Sequence, residues 1–459
     1  MVEKKGALVI VELALLLLLL PLLSGAPVIG QVKEIAARNN VTCILVFGDS
    51  SVDSGNNNFI VTTIKSNFLP YGKDFFNGRP TGRFSNGRLA TDFIADAIGY
   101  TKTIPAFLDP NQKLKDLPHG ASFASAASGY DDFTANISSV LSLPRQLKYL
   151  MHYKVKLRKL VGQKRAEDII RTAVFVMSMG TNDFLQDFYL DPTRPKQFTV
   201  EEYQNYLVSC MANAIQKMHR LGGTRLVVVG VPPLGCMPLV KTITDKTTCA
   251  ENYNKVAFSL NSKIQEKLET ISATSRMKTA FVDAYGIIQN AINNPALYGL
   301  SETSKGCCGT GTTEFGDSCR GLETCTDPEK YVFWDAVHPT EKIGGGGGDE
   351  GRVGGCGSCG GGDGGCGGGG NGSVVVVVVL AVEVVVDVEV LEEVVVVVAA
   401  VVMVLEVEEV VVVVVVAKDE EEEDVVVAVV VEVVNVVVQV VELNVEVEMV
   451  SFFKMNDGI

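Results

Sequence analysis

An abrupt change of composition after Ile343 decides which part of this chain can build a folded core. Residues 344–373 contain 19 glycines in 30 positions, and the segment after them is almost entirely valine and glutamate. A glycine stretch cannot bury enough apolar surface to offset its chain entropy, and charges interrupt the valine segment too often for a transmembrane helix. We therefore predict that residues 344–459 are a low-complexity tail, either disordered or the product of a misread frame or mispredicted exon. A linker followed by a structural segment is the alternative.

The tail accounts for the negative sign of the chain's net charge of −14. Residues 344–459 carry 22 acidic and 3 basic side chains, whereas residues 1–343 carry 37 basic and 32 acidic ones. So mild a balance, without a clustered basic patch, argues against nucleic-acid binding. We expect no nucleic-acid partner.

The first residues have the pattern of a targeting signal. Two lysines precede the apolar run Leu13–Leu20, and the small residues Ser24–Ala26 suit a cleavage region. The predicted domains are therefore a signal peptide over residues 1–26 and a mature domain over residues 27–343. An uncleaved anchor is the alternative, but the apolar run is shorter than the ~20 residues that a membrane span needs. We expect secretion to the extracellular space or cell wall, with no stable membrane span.

Cysteine usage agrees with secretion. Eight cysteines precede residue 343, an even number that is typical of disulfides in an oxidising compartment. Cys236 and Cys249 could close a loop, whereas Cys43 is expected in the core and Cys210 on a helix. The other four lie in one loop, where three disulfide connectivities or a zinc site would be open to them: Cys307, Cys308, Cys319 and Cys325. Secretion favours disulfides there, which would brace the chain that follows. Triplets at residues 40 and 136 are potential glycan acceptors.

Between residues 42 and 343, short apolar runs alternate with longer amphipathic stretches. Four runs rich in β-branched residues predict buried strands: Cys43–Phe47, Thr172–Ser178, Arg225–Val231 and Lys278–Asp283. Four stretches with apolar residues at spacings of three and four predict helices: Leu89–Ile98, Leu143–Val161, Val200–Leu221 and Ala250–Thr274. The alternation is typical of an α/β fold, a three-layer sandwich with a mostly parallel sheet between helices. Ligands of such sheets bind beyond the carboxyl ends of the strands, where we expect the site.

A serine follows the first predicted strand. Ser50 ends the sequence Phe47-Gly48-Asp49-Ser50, at a turn where its hydroxyl can be exposed beside backbone N–H groups. A helix N-cap is the alternative, since serine and aspartate are preferred there. The same four letters recur at residues 315–318, but no apolar strand precedes that copy, which we interpret as a loop coincidence.

A serine hydroxyl becomes an effective nucleophile when a base takes its proton, and that base needs a group to orient it. The chain has four histidines: His119, His152, His219 and His338. Two of them fall within predicted helices, and a third lies in a loop without an acid at a useful spacing. Asp335 stands three residues before His338, where its carboxylate could accept the ring N–H and fix the tautomer. His338 is therefore the candidate base.

These residues resemble the plant GDSL esterase/lipase family of the SGNH hydrolase superfamily. The resemblance covers about residues 41–343 and rests on six ordered blocks: residues 47–58, 80–88, 123–129, 180–183, 232–236 and 331–340. It implies an SGNH, flavodoxin-like fold. It also implies a catalytic triad of Ser50, Asp335 and His338, and an oxyanion hole built from the backbone N–H groups of Ser50 and Gly129 and the side-chain amide of Asn182.

The implied activity is hydrolysis of a small-molecule or lipid ester through an acyl-serine intermediate, with neither a metal nor an organic cofactor. Two alternatives stay open: an acyltransferase with the same intermediate, and a secreted protein whose activity is impaired. The second arises because the family continues past its histidine motif into a terminal helix, whereas glycine begins here at residue 344. If the tail exists as written, we expect His338 to be less firmly held. The particular ester and the oligomeric state stay open.

Overall fold

A five-stranded parallel sheet forms the centre of the molecule in the computed structural model, which describes residues 33–34, 36–345, 411–415 and 428–432. Its strands are β1 (Ile44–Gly48), β2 (Gly120–Ser122), β3 (Val174–Ser178), β4 (Arg225–Val229) and β5 (Lys278–Val282). They lie in the order β2-β1-β3-β4-β5, and every neighbouring pair is parallel. The predicted parallel sheet is confirmed, and the four predicted strands correspond to β1, β3, β4 and β5.

The sheet is buried on both faces because its strands are apolar at nearly every position. All five residues of β1 and of β3 are buried, although successive side chains of a strand point to opposite faces. On one face, the rings of Phe47 and Phe175 stack at 6.0 Å, and Phe47 lies 5.0 Å from Phe123. A sheet buried on both faces is the middle layer of an α/β sandwich.

Helices connect the parallel strands. The four that the sequence predicts are present as Ala90–Ile98, Leu143–Val161, Val200–Arg220 and Glu251–Thr274. Further helices that the sequence analysis did not predict are Asp132–Ile137, Gln163–Thr172, Pro238–Ile243 and Ala284–Asn293, together with a π-helix over Asp183–Phe188. Among the described residues, no helix has both the length and the apolarity needed to cross a membrane.

The order of the strands determines where the turn with the candidate nucleophile Ser50 lies. Strand β1 lies between β2 and β3, so the chain runs from β1 to β2 on one side and then crosses back to β3 on the other. The carboxyl ends of β1 and β3 therefore flank a topological switch point. A crevice opens at such a point in doubly wound sheets. Residues 49–50 follow β1 and residues 179–182 follow β3, so these two turns are neighbours at the crevice.

A second, smaller region directly precedes the candidate base His338. Strands β6 (Glu302–Gly306) and β7 (Tyr331–Phe333) pair in parallel, and two disulfides, Cys307–Cys325 and Cys308–Cys319, lie in the connection between them. These pairings confirm disulfides over the zinc alternative for the four cysteines. Cys236 and Cys249 also form a disulfide. Cys43 is buried, and Cys210 lies on the helix Val200–Arg220, as predicted.

The segment after the small sheet ends in a short helix, Glu341–Gly345, so the helix includes the first two glycines of the tail. Farther on, strands β8 (Val411–Val415) and β9 (Ala428–Glu432) form an antiparallel pair in a separate unit of the chain. The sequence predicted a low-complexity tail that is disordered or an artefact, with a structural segment as the alternative, and this stays a prediction; ten residues of the tail form these paired strands. The rest of the tail after Gly345 and the predicted signal peptide lie outside the described residues.

Candidate active site

Gly48 and Gln146 set the position of Ser50. Gly48 ends β1 with φ 152°, and a Cβ on it would lie 2.2 Å from the Ser178 carbonyl oxygen, so only glycine fits this turn. The buried amide of Gln146 accepts the Gly48 N–H at 2.9 Å and donates to the Gly48 carbonyl at 2.9 Å. Both backbone groups of the residue before Asp49 are therefore fixed, and Ser50 follows on a rigid turn.

Asp335 and His338 form a compact unit directly after β7. The Oδ1 of Asp335 accepts the backbone N–H groups of Val337 at 2.8 Å and His338 at 2.7 Å, which folds the chain back on the carboxylate. The His338 Nδ1 lies 2.8 Å from Asp335 Oδ2 and 2.9 Å from Oδ1. Asp335 is fully buried and His338 is 7% exposed, so little water competes for this contact. Because a carboxylate only accepts hydrogen bonds, the proton of this contact is on the His338 Nδ1.

The two segments meet at one hydrogen bond. The Nε2 of His338 lies 2.9 Å from the Oγ of Ser50, across 288 positions of sequence. With Nδ1 protonated, Nε2 is the acceptor in this contact, and the Ser50 hydroxyl donates. The structure thus brings together Ser50, His338 and Asp335, the three residues that the sequence singled out, in a chain of hydrogen bonds.

His338 is also tied to the rest of the domain. Its carbonyl accepts the Trp334 N–H at 2.8 Å, and its ring lies 5.0 Å from that of Phe84. Just beyond it, Glu341 forms a salt bridge with Arg88 at 3.2 Å. Burial and these contacts surround the ring, and the expected loosening of His338 stays a prediction.

Asp183 shapes the segment that carries Gly129. Its carboxylate accepts the backbone N–H groups of Tyr130 at 2.9 Å and Asp131 at 3.0 Å. A Cβ on Gly129 would lie 2.1 Å from Asp183 Oδ1, so a side chain there would displace this carboxylate. The turn at Gly129 is consequently fixed by a buried acid from the end of β3.

Asn182 precedes that acid and reaches the same turn. Its Nδ2 donates to the Ser128 carbonyl at 3.0 Å and lies 3.5 Å from Asp49 Oδ2, so it sits between the residue before Gly129 and the residue before Ser50. Ser50, Gly129 and Asn182 therefore follow three adjacent strands, β1, β2 and β3, at one edge of the sheet. One amide hydrogen of Asn182 is used in the bond to Ser128, and the other takes part in the longer contact with Asp49 Oδ2.

Buried carboxyls give this edge unusual electrostatics. Burial raises the pKa of Asp49 to about 6, although hydrogen bonds from the Ser51 N–H and hydroxyl lower it. Burial also raises the pKa of Asp183 to about 8, against hydrogen bonds from Thr134 and the backbone. Burial therefore makes both carboxyls hold their protons to higher pH than an exposed aspartate would.

The remaining candidates from the sequence lie elsewhere. The His119 Nδ1 lies 3.2 Å from the Thr42 carbonyl and the His219 Nδ1 lies 3.1 Å from the Gly223 carbonyl, whereas His152 is exposed on a helix. The second Phe-Gly-Asp-Ser copy forms a short 3₁₀ turn, where the Ser318 hydroxyl donates to the Phe315 carbonyl. Its interpretation as a loop coincidence fits this geometry.

Two residues that sequence reasoning missed contact the site directly. Gln146 lies within a predicted helix, where one inward-facing amide has no distinct signal. Tyr71 lies in a loop, and its hydroxyl is 2.6 Å from Asp335 Oδ2, across 264 positions. No local spacing rule connects residues so far apart, so neither could be found from the pattern of one sequence.

Comparison with known proteins gives consistent matches. The family described as GDSL-like Lipase/Acylhydrolase matches residues 44–343. A GDSL esterase/lipase of Arabidopsis thaliana is 56% identical over 311 residues, which is 68% of this chain and 87% of that protein. Another from the same plant is 42% identical over 312 residues, or 67% of this chain and 89% of that protein. A crystal structure of a lipase from a goat rumen metagenome aligns at 11% identity over 66% of this chain and 93% of that one, but its TM-score of 0.30 is too low to support an argument.

Proposed function

Since this chain belongs to the family of GDSL-like lipases and acylhydrolases and is a carboxylic ester hydrolase, we propose that it works through a Ser50–His338–Asp335 triad. The observation that carries the proposal is the continuous chain of hydrogen bonds from the Ser50 hydroxyl through the imidazole to the buried carboxylate. Nucleophile, base and orienting group lie within hydrogen-bond distance of one another, which is the arrangement that general-base activation of a serine needs.

The reaction begins with attack of the Ser50 Oγ on the carbonyl carbon of the ester. His338 Nε2 takes the hydroxyl proton as the new C–O bond forms, and Asp335 stabilises the resulting imidazolium. The carbonyl oxygen becomes an oxyanion, which accepts hydrogen bonds from the backbone N–H groups of Ser50 and Gly129 and from the Asn182 amide. Collapse of this intermediate breaks the bond to the alcohol oxygen, which leaves with the proton from His338. An acyl-serine remains.

Water completes the cycle. His338 takes a proton from the water, whose oxygen attacks the acyl carbonyl carbon, and a second oxyanion forms in the same place. The bond to Ser50 Oγ then breaks, the carboxylic acid leaves, and the serine oxygen recovers its proton from the imidazolium. The neutral donors proposed for the oxyanion suit both halves of the reaction, because they stabilise negative charge without competing for the serine proton.

Labelling with a fluorophosphonate probe tests the triad. We expect the wild-type protein to be labelled and Ser50→Ala to be unlabelled, with an ester hydrolysis rate about 10⁴-fold or more below wild type. Ser318→Ala is the matched control, because it removes the same hydroxyl from the other Phe-Gly-Asp-Ser copy. Unchanged labelling of Ser50→Ala, or its loss in Ser318→Ala, would overturn the proposal.

We also propose that the protein is secreted. Three disulfides among the described residues support this, because disulfides persist mainly in oxidising compartments. The potential glycan acceptors Asn40 and Asn136 are both exposed. Amino-terminal sequencing of protein recovered from the medium of expressing eukaryotic cells is expected to begin near Pro27. Retention of the full chain inside the cells would contradict secretion.

A further inference from the structure

Tyr71 is a fully buried residue that contacts the acid of the proposed triad from outside its local loop. Its hydroxyl lies 2.6 Å from Asp335 Oδ2, and the backbone N–H of Gly316 donates to the same hydroxyl at 2.7 Å. Because Gly316 is the donor in the second bond, the hydroxyl hydrogen is free to point at the carboxylate. The geometry therefore fixes Tyr71 as a donor to Asp335.

The ring of Tyr71 has little freedom to turn away. It packs edge-on against Phe68 at 5.8 Å, Phe84 at 5.7 Å and Trp334 at 6.3 Å. Burial and the neighbouring Asp335 charge raise the pKa of Tyr71 well above its usual value, so the phenol keeps its proton. A neutral, immobile donor thus faces the carboxylate that faces His338.

The hydrogen bonds around Asp335 divide between its two oxygens. Oδ1 accepts the backbone N–H groups of Val337 and His338, which fix the local turn. Oδ2 accepts the Tyr71 hydroxyl and also lies 2.8 Å from His338 Nδ1. The phenol and the imidazole therefore share one carboxylate oxygen, so a change at one affects the bond at the other.

We propose that Tyr71 is a positioning residue of the triad: its hydroxyl orients the Asp335 carboxylate towards His338 and limits how strongly that carboxylate holds the imidazolium proton. This inference rests on the proposed Ser50–His338–Asp335 mechanism. A donor to Oδ2 withdraws charge from the oxygen that His338 uses, so His338 gives up its proton more readily than it would beside an unshared carboxylate.

The pH dependence of kcat/KM separates this role from a structural one. In Tyr71→Phe the ring stays but Oδ2 loses its donor, so the imidazolium holds its proton to higher pH. We expect the acidic limb of the profile to move up by about one pH unit, since one charged hydrogen bond is lost. We also expect kcat to fall about 10-fold with KM unchanged, because the oriented base rather than ester binding is affected.

Tyr153→Phe is the matched control. Tyr153 is equally buried, but its hydroxyl donates to the Leu117 carbonyl at 2.5 Å and lies 3.4 Å from Cys43 Sγ. We expect this variant to lower the melting temperature without moving the acidic limb. Both variants leave the neighbouring charged groups unchanged. Asp49 interacts electrostatically with His338. The cations of Lys73 and Arg320 lie over the Trp334 and Phe68 rings, respectively.

A second substitution keeps the test decisive if Tyr71→Phe fails to fold. Incorporation of 3-fluorotyrosine at position 71 keeps the ring and makes the hydroxyl a stronger donor, so the acidic limb is expected to move to lower pH. Fluorophosphonate labelling is measured on every variant. If the wild-type enzyme is labelled but neither substitution moves the acidic limb of the pH profile, the role of Tyr71 alone is overturned. If the wild-type enzyme is not labelled, the proposed function is overturned.

Discussion

The nucleophile and the base of the proposed triad lie on two regions that are held by different forces. Ser50, Gly129 and Asn182 follow adjacent strands of a parallel sheet that is buried on both faces. Apolar burial fixes the strands, and hydrogen bonds with Gln146 and Asp183 fix the turns that follow them. Asp335 and His338 follow a two-strand sheet whose connection contains two disulfides. The sheet side is thus held without a disulfide in these described turns, whereas the base segment combines two cross-links with local hydrogen bonds and buried apolar side chains.

The two regions meet through several contacts, among them three that involve His338 or Asp335. The Ser50–His338 hydrogen bond joins them at the reacting atoms, and the Tyr71–Asp335 bond joins them behind the base. The aromatic rings of Phe84 and His338 add a third contact at 5.0 Å. We expect that the proposed oxyanion donors and the proposed base can be disturbed separately, which gives the comparison testable consequences.

The largest expected effect falls on the sheet side. Asn182→Ala removes one proposed oxyanion donor, and we expect kcat to fall about 100- to 1000-fold while fluorophosphonate labelling persists at a reduced rate. Steady-state kinetics on a short-chain ester measures the loss. Asn205→Ala, on an exposed position of the helix Val200–Arg220, is the control and should leave kcat unchanged. A loss below threefold in Asn182→Ala would remove this residue from the oxyanion hole.

The next effect falls on the base side. Replacing Cys307, Cys308, Cys319 and Cys325 by serine removes both disulfides of the base segment. We expect each lost bridge to cost about 2–4 kcal/mol of unfolding free energy. If His338 shifts by about 1 Å, kcat falls about 100-fold.

Serine at Cys236 and Cys249 is the control for that experiment, because it removes a disulfide elsewhere in the domain. Urea unfolding and ester kinetics are measured on both sets. We expect both to lose stability and only the first to lose kcat at temperatures where the protein is folded. Equal losses of kcat would show that the base segment does not depend specially on its own cross-links.

The smallest effect is the pH dependence of stability on the sheet side. Burial raises the pKa of Asp49 from 3.8 to about 6, so its contribution to stability is fully present below about pH 4 and is lost as pH rises through about 6. In Asp49→Asn this contribution is absent. We expect the difference in unfolding free energy between wild type and variant to change by about 2 kcal/mol between pH 4 and pH 7, with wild type favoured at the lower pH. Parallel curves from urea titrations would contradict the raised pKa.

Sequence patterns were sufficient for the main sheet because each long strand is a local signal. β3 and β5 begin or end within two residues of their predicted bounds, since β-branched runs and their polar ends are local features. β2 (Gly120–Ser122) escaped prediction because three small residues carry no such run, and its pairing with β1 comes from the tertiary fold. Helix Gln163–Thr172 was missed because it follows directly on Leu143–Val161.

Some residues of the candidate site could be predicted from local sequence patterns, and others could not. Ser50 stood out because it follows a strand, and His338 stood out because an acid precedes it by three residues. Gly129 and Asn182 were named through the family resemblance, since nothing in their local chemistry marks them. Tyr71 and Gln146 act through contacts between distant segments, which only three-dimensional structure brings together.

The central claim is that an ester's acyl group passes through Ser50, and the acyl-enzyme itself tests it most directly. The protein is mixed with a p-nitrophenyl ester, quenched in acid during the initial burst and digested for peptide mass spectrometry. We expect the acyl mass on the peptide that contains Ser50 and none on the peptide that contains Ser318. An acyl group on another residue, or rapid turnover without any adduct at any quench time, would contradict this account.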